Sequence, residues 1–474
     1  MTRVLAIDLG TGSLKAGVLD TALQVHALAS APIATSRRRS GVAEQSPAEW
    51  FAALAVAGRA AVTRAGGQID AIVFTGHMSA PCLVDGTGDP VAPVRTLADT
   101  QCTPYLSTDA AVADLTGNLD GTHFGRAKIR QALDEGARPV SVLAPKDLLR
   151  HRLGGSLASD PGDLANLLLV DIGSGAFHDD LITGADLHRD QLPRMMCADQ
   201  RDGVLNADWA ARLDLPQGVP LITGTGDMGA AAIGVGLARR CDAAITIGTS
   251  ATVLAAMPDL RDDLRGKLTC HLDGIGGRFA LASHFNGGAV LDWLHRLSGT
   301  QEARNPWLMR LSSAAARRPV ETRPLVLPYL LGSGSPRFDR AETAQIMGVT
   351  ADHDMVDLVA AFQEGVAFDI ADSFDALADA GLGATRVCLG GGGAKLPGWA
   401  ETISAVLARP LARASGDDLS LFGAAMLGLQ GIGASVAAAD AGPDGEPGWL
   451  PDPGAVAALR LRRTRVIARR SPTL

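Results

Sequence analysis

A chain of 474 residues is long enough for two or three domains with full cores, and 47% hydrophobic with 20% charged residues excludes a disordered polymer. A net charge of -8, with no long basic stripe interleaved with aromatics, argues against nucleic acid as a partner. No run approaches the ~18 apolar residues of a membrane helix, Asp8 interrupts the first apolar run before a secretory core forms, and six scattered cysteines without C-x-x-C or zinc spacing read as buried thiols, so a cytoplasmic protein is expected.

The first element, "VLAIDLGTGSLKAGVLD", reads as a strand, a turn at Gly10-Thr11-Gly12-Ser13 and a second strand. The one carboxylate of its first apolar run, Asp8, just before the glycine turn, calls for a metal or a cationic partner, because an ionised carboxylate at a strand end is costly to desolvate. "QVHALASAPI" offers a third strand, and "QSPAEWFAALAVAGRAAVTRAGG" a helix with Ser46 as N-cap, Pro47 as first residue and Glu49 as capping-box partner. "IDAIVFTGH" is a buried strand, so the order strand, strand, strand, helix, strand predicts a mixed α/β fold. "PKDLLRHRLGG" and "GDLANLLLVDI" read as helices, and "VPLITGTGDMGAAAIGVGLA" as strand, glycine turn and helix. Then "AAITIGTSATVLAAM" repeats the opening device around Gly248-Thr249-Ser250. Two copies of one device predict two related domains facing each other across a cleft, residues 1–237 and 238–474. The second half continues with strand "LVLPYL", a long helix in "DMVDLVAAFQEGVAFDIADSFDALADAG", strand "TRVCLGGGGAK" and helices in "PGWAETISAVLA" and "LSLFGAAMLGLQG". The basic tail "RLRRTRVIARR" reads as a solvated face.

Phosphoryl transfer needs positioned phosphates, a cation and a base beside the attacking hydroxyl. The two glycine-and-hydroxyl turns can grip a polyphosphate, and Gly390 to Gly393 can admit a nucleobase or ribose close to backbone. Asp8 and Asp227, both in glycine surroundings, suit magnesium and general-base work. Each has a plainer alternative: Asp227 as a cap on the helix from Met228, Gly248-Thr249-Ser250 as a simple hairpin, Gly390 to Gly393 as a tight turn, Lys15 as solvent-facing.

"IDLGTGSLKAGVLD", "TGHMSA", "TGNLDGTHFGRAK", "PKDLLRHRLGGSLASD", "TGDMGAAAIGVG", "IGTSATV", "LPYL", "EGVAFDIAD" and "GGGGAKLPGW" follow one another in a single chain. In this order they resemble the FGGY carbohydrate kinase family, its xylulokinases above all, from Val4 to about Gly428. The resemblance implies an α/β fold of two ribonuclease H-like domains, as in actin and hexokinase, with ATP in the cleft. It implies an ATP-dependent kinase acting with Mg²⁺ on a hydroxyl of a small ketose or polyol. Carried over by position, Asp8 helps hold the magnesium, largely through water, and Asp227 is the catalytic base, set beside both metal and substrate. Thr11, Gly12 and Ser13 line one phosphate loop, Gly248 and Thr249 the other, and Gly391, Gly392, Gly393 and Ala394 border the adenosine. Met78, Ser79 and Asp99 fall at the sugar.

Departures gather on the sugar side. Met78-Ser79-Ala80 stands where xylulokinases commonly have Met-His-Gly, Leu97 to Gln101 where they have a Trp-Asn-Asp-Gly-Arg type segment, and Gly332 to Pro336 where they have Gly-Glu-Arg-x-Pro. An altered pocket is therefore expected, with D-xylulose a poorer acceptor than some other small ketose or polyol. The alternatives are ribulose, a tetrulose, glycerol or a short polyol as acceptor, or a catalytically weak sugar or nucleotide sensor on the same scaffold. Retention of Asp8 and Asp227 favours an enzyme whose partners are ATP and the sugar, with no nucleic acid and no membrane. A homodimer is compatible with the sequence.

Overall fold

Arg3–Leu9 (β1) and Ser13–Asp20 (β2), apolar and small-residue rich, form an antiparallel pair in which Asp8 lies opposite Lys15. The computed structural model describes residues 2–414, 416, 418–436 and 448–470, so residues 471–474 of the expected second domain lie outside it. Val25–Pro32 (β3) adds to β2 antiparallel, and Ala71–Gly76 (β4) adds to β1 in parallel. Arg201–Val204 (β5) and Pro220–Gly226 (β6) complete a six-stranded sheet, β6 parallel to β4 and β5 antiparallel at the edge.

The second half builds the same plan. Ala243–Ile247 (β7) and Ala251–Ala256 (β8) form the antiparallel hairpin, followed in the chain by Thr269–Leu272 (β9), Arg278–His284 (β10), Val387–Gly390 (β11) and Leu411–Arg413 (β12). The sheet order is β9-β10-β8-β7-β11-β12. Strands β7, β8, β10, β11 and β12 take the places of β1, β2, β3, β4 and β6, three antiparallel strands and then two parallel ones. This is the ribonuclease H-like arrangement, present twice.

Helix Pro47–Arg64 (α1) lays Ala53, Leu54, Ala57 and Ala61 on the first core. Ser46 sits at its N-cap position without a side-chain cap bond, and Glu49 instead accepts the Ala34 N–H at 3.1 Å, tying the helix to the end of β3. Pro47, the first helical residue, has no N–H and so removes one of the amides that the helix start would leave unpaired. The expected helix "GDLANLLLVDI" is helical only as far as Asn166, within Pro161–Asn166, because Leu168 adopts φ +57 and Val170–Asp171 pairs as a strand. A short buried apolar run fits either state, and periodicity alone does not separate them.

Two helices are exchanged between the halves. Asp227–Val235 follows β6, yet Ala231, Ala232 and Val235 pack with Ala244 and Leu254 of the second sheet. Leu419–Gly431 follows β12, yet Leu421, Ala424 and Leu427 pack with Val4, Ala6 and Val73 of the first. They cross backbone to backbone: a Cβ on Gly423 would collide with the Ala230 carbonyl, and one on Gly234 with that of Leu419.

The basic tail is a solvated face only in part: Arg460, Arg465 and Arg469 are exposed, while Arg462, Arg463 and Arg470 turn inward. It lies in helix Pro453–Ile467 and beyond, and buried Arg462 places Nε 2.6 Å from Glu364 Oε1 while its other nitrogens donate to the carbonyls of Arg323 and Pro324. Arg463 and Arg470 both reach Asp372. A guanidinium anchored to a buried carboxylate docks this helix on Met355–Asp379. Cys197 is exposed, against expectation, while the other five cysteines are buried thiols.

Candidate active site

Strand β1 delivers Asp8, only 6% exposed, to the mouth between the sheets. The Ser420 hydroxyl lies between Asp8 Oδ2 at 2.8 Å and Asp418 Oδ1 at 2.9 Å, so one proton serves two carboxylates. Asp8 Oδ1 has no hydrogen-bond partner among the described residues. Burial first, and Asp418 second, push the Asp8 carboxyl above its ordinary range, against the pull of Ser420 and Lys15. Lys15, expected to face solvent, is 41% exposed, but its ammonium is 2.5 Å from Asp418. The chain Lys15, Asp418, Ser420, Asp8 thus fastens β1 and β2 to the start of helix Leu419–Gly431.

Asp227 enters from the other exchanged helix. Gly226 holds the cap position, and Asp227 is the first helical residue, its Oδ1 accepting the adjacent Met228 N–H at 2.8 Å. Burial, then the negative charge of Asp8, pushes its carboxyl up to about 7. A carboxylate poised there can take a proton at neutral pH. Two mutually repelling carboxylates, one with a free buried oxygen, are also a donor set that suits a hard divalent cation.

The two hairpin turns are exposed and equivalent in their sheets. In the first, Gly10 N–H bonds to Ser13 O, while Gln45 Nε2 and the Ile33 amide bind the carbonyls of Thr11 and Gly12 at 2.6 and 3.0 Å. In the second, Gly248 N–H bonds to Ser250 O at 2.8 Å, and the amides of Gly287 and Ala289 bind the Thr249 carbonyl. Carbonyls held from behind leave the rest of each turn facing outward. Gly391 has φ +82, and a Cβ there would sit 2.5 Å from the Ile247 carbonyl, so the glycine run lies directly on the end of β7. Gly393 and Ala394 are buried there, whereas Gly392 is open, which leaves Gly391 and Gly392 as the accessible backbone.

On the other side of Asp227, Met78 packs on Gly226, where a Cβ would come within 2.7 Å of Met78 Cγ. Asn166 Nδ2 lies 3.0 Å from Met78 Sδ. Ser79, buried with φ +65, turns its carbonyl inward to accept from Lys128 Nζ at 3.0 Å. Burial pulls that lysine down to about 8. Asp99 is fully buried and ties its own loop to a distant segment, accepting from Ala43 N–H, Gln101 N–H and Gln101 Nε2 at 2.8, 3.0 and 2.9 Å. The structure therefore brings Met78 against Gly226, the residue before Asp227, with Ser79 next in the chain, and sets Asp99 as a brace between the Ala43 and Gln101 segments.

A cage the sequence reading had not assigned stands behind β6. Lys146 Nζ lies 2.6 Å from Asp147 Oδ1, 3.0 Å from Asp160 Oδ1 and 3.4 Å from Asp163 Oδ2, all buried. These carboxylates are close enough together to hold a metal, but the ammonium already stands among them. Burial opposes its charge, yet the three aspartates hold its proton more tightly than usual. Asp160 Oδ2 accepts from Thr225 Oγ1 at 2.7 Å, two residues before Asp227, so the cage steadies the end of β6. No local signal marked it: Lys146 and Asp147 sit among Arg150, His151 and Arg152, and Asp160 and Asp163 flank a helix start at Pro161.

Residues 3–234 match the model of the N-terminal domain of the FGGY family of carbohydrate kinases, and residues 243–431 that of the C-terminal domain. The chain is 28% identical to a xylulose kinase of Escherichia coli over 435 residues, 89% of each protein. It is 27% identical to a glycerol kinase of Cereibacter sphaeroides over 443 residues, 87% of this chain and 88% of that one. A crystal structure of a xylulose kinase from Brucella ovis superposes with a TM-score of 0.88 at 27% identity, over 98% of both chains.

Proposed function

Because this chain belongs to the FGGY family of carbohydrate kinases, and is therefore an ATP-dependent sugar kinase, we propose that it phosphorylates a small ketose of the xylulose type with Asp227 as catalytic base. The observation that carries this reading is the Asp227 carboxyl, pushed up to about 7 by burial and Asp8, directly after Gly226, on which Met78 packs. The sugar lies against Met78 and Ser79, and Asp99 braces the Ala43 and Gln101 backbone around it. Thr11, Gly12 and Ser13 with Gly248 and Thr249 flank the phosphates, and Gly391 and Gly392 border the adenosine, with Gly393 and Ala394 packed behind them. Asp227 takes the proton of the attacking hydroxyl, whose oxygen bonds to the γ-phosphorus as the bond to the ADP oxygen breaks.

Asp8 and Asp227 would hold Mg²⁺, which when bound supplies positive charge to the transferring phosphoryl group. The free Asp8 Oδ1 and the repulsion between the carboxylates support that assignment. We assign residues 1–237 to sugar and base and 238–474 to ATP, and place the enzyme with its ATP in the cytoplasm. Both carboxylates come from one chain, so the site is complete with or without a homodimer.

The test is ADP release on D-xylulose, D-ribulose, L-ribulose, erythrulose, glycerol and xylitol. Turnover fastest on a ketose is expected. No sugar-stimulated ADP release on any of them would refute the proposal, and glycerol or xylitol as best acceptor would refute the ketose assignment.

A further inference from the structure

His77, between the end of β4 and Met78, has no part in the chemistry above, yet its burial is unusual. Its ring is only 4% exposed, and neither Nδ1 nor Nε2 has a hydrogen-bond partner among the described residues. Its backbone N–H is tied to the Leu9 carbonyl at 2.8 Å, next to Asp8 and the first phosphate turn. Its ring meets the Trp50 indole edge-on, with centroids 5.7 Å apart. Trp50 Nε1 in turn donates to Gln45 Oε1 at 2.9 Å, and Gln45 Nε2 donates to the Thr11 carbonyl. The imidazole thus stands between the phosphate turn and the Met78-Ser79 segment, within electrostatic reach of Lys128, which binds the Ser79 carbonyl.

Burial and Lys128 pull His77 down to about 4, so the ring is neutral and offers one N–H donor and one acceptor. Buried polar groups are nearly always paired, and leaving both nitrogens unmet is costly. A sugar hydroxyl can meet one of these nitrogens, donating to the bare nitrogen or accepting from the N–H. We propose that His77 is a specificity-determining residue, its uncharged imidazole recognising a non-reacting hydroxyl of the acceptor sugar through the side of the pocket floored by Met78 and Ser79. This rests on the ketose reading above. Trp50, clamped through Gln45, fixes the ring plane, so the hydroxyl is selected by position as well as by chemistry.

The probes are D-xylulose and its 1-deoxy, 3-deoxy and 4-deoxy analogues, compared by kcat/KM in the parent, His77→Leu and His77→Gln. A site built to bind a hydroxyl discriminates strongly against its absence. The parent is expected to lose at least ~10-fold on one of the three analogues relative to D-xylulose. His77→Leu should bring that ratio to within about twofold of unity, mainly through a higher KM for D-xylulose, with the KM for ATP unchanged. His77→Gln, which keeps a donor and an acceptor, should restore part of the discrimination and show that lost folding is not the cause. A parent active on D-xylulose whose analogue ratios are the same in both variants overturns the role of His77 alone. A parent inert to all four sugars, but active on glycerol, overturns the ketose reading and this inference with it.

Discussion

Replacing Asp227 by Asn removes a charge and almost nothing else. The Asn Oδ1 can still accept the Met228 N–H that Asp227 Oδ1 accepts at 2.8 Å, and Gly226, not Asp227, holds the cap position. Loss of a general base costs about 10² to 10⁴ in rate, or about 3 to 5 kcal/mol of transition-state stabilisation. The effect on stability runs the other way. A carboxyl held at about 7 instead of 3.8 keeps its proton in the folded protein where the unfolded chain has lost it. The parent therefore loses stability as pH rises from about 4 to about 7, by at most about 4 kcal/mol from this group. Asn cannot ionise, so Asp227→Asn should melt at or above the parent at pH 8, with a gap in Tm that opens across that window. At the same time kcat should fall at least ~100-fold while KM for sugar and ATP stays within about threefold. Coupled ADP release, with thermal melts from pH 4 to pH 8, measures both. Turnover within a few-fold of the parent, or a Tm gap that does not move with pH, would refute the reasoning.

Asp8→Ala should nearly abolish turnover, and excess EDTA should do the same to the parent until Mg²⁺ is restored; full activity in EDTA would contradict the metal assignment. Lys146→Met should leave buried Asp160 and Asp163 without their cation, Asp147 keeping Arg150, and destabilise the fold by about 3 to 5 kcal/mol, read from urea unfolding. An unfolding midpoint equal to the parent's would show the cage to be dispensable. Gly12→Ala and Gly391→Ala should separate function from packing. A Cβ at Gly12 meets nothing within 4 Å, so the variant should keep the parent Tm and raise KM for ATP. One at Gly391 strains a left-handed residue and meets the Ile247 carbonyl, which should lower stability by about 1 to 3 kcal/mol. Equal melting of the two variants would refute this.

The sheets and turns were legible because their signals are local. The apolar strands around Gly10 to Ser13 and Gly248 to Ser250 declare themselves by period and turn chemistry, and the duplication follows from their repetition. Asp8 and Asp227 stood out as carboxylates among glycines. What was not legible depends on contacts between residues far apart in the chain. Nothing near Ser420 says that it will meet Asp8, 412 residues away. Lys146 reads as an ordinary helical lysine until the fold closes Asp160 and Asp163 around it, and Arg462 as a surface charge until Glu364 is underneath. Asp99 was recognised by position alone, and only its hydrogen bonds to Gln101 and to Ala43, 56 residues away, reveal a brace.

The exchange of Asp227–Val235 and Leu419–Gly431 bears on what can be cut from this protein and still live. A fragment ending near residue 237 would keep a helix whose seat is on the missing half and leave Val4, Ala6 and Val73 bare to water. Its complement would carry Leu421, Ala424 and Leu427 with nothing to cover. Neither piece is a free-standing unit, so the halves are made together or not at all, and two separately synthesised pieces would each aggregate unless they met before collapsing. Asp227 begins one of these helices and Ser420, holding Asp8, sits at the start of the other. The joint that makes the halves inseparable is therefore also the one that brings the two carboxylates face to face.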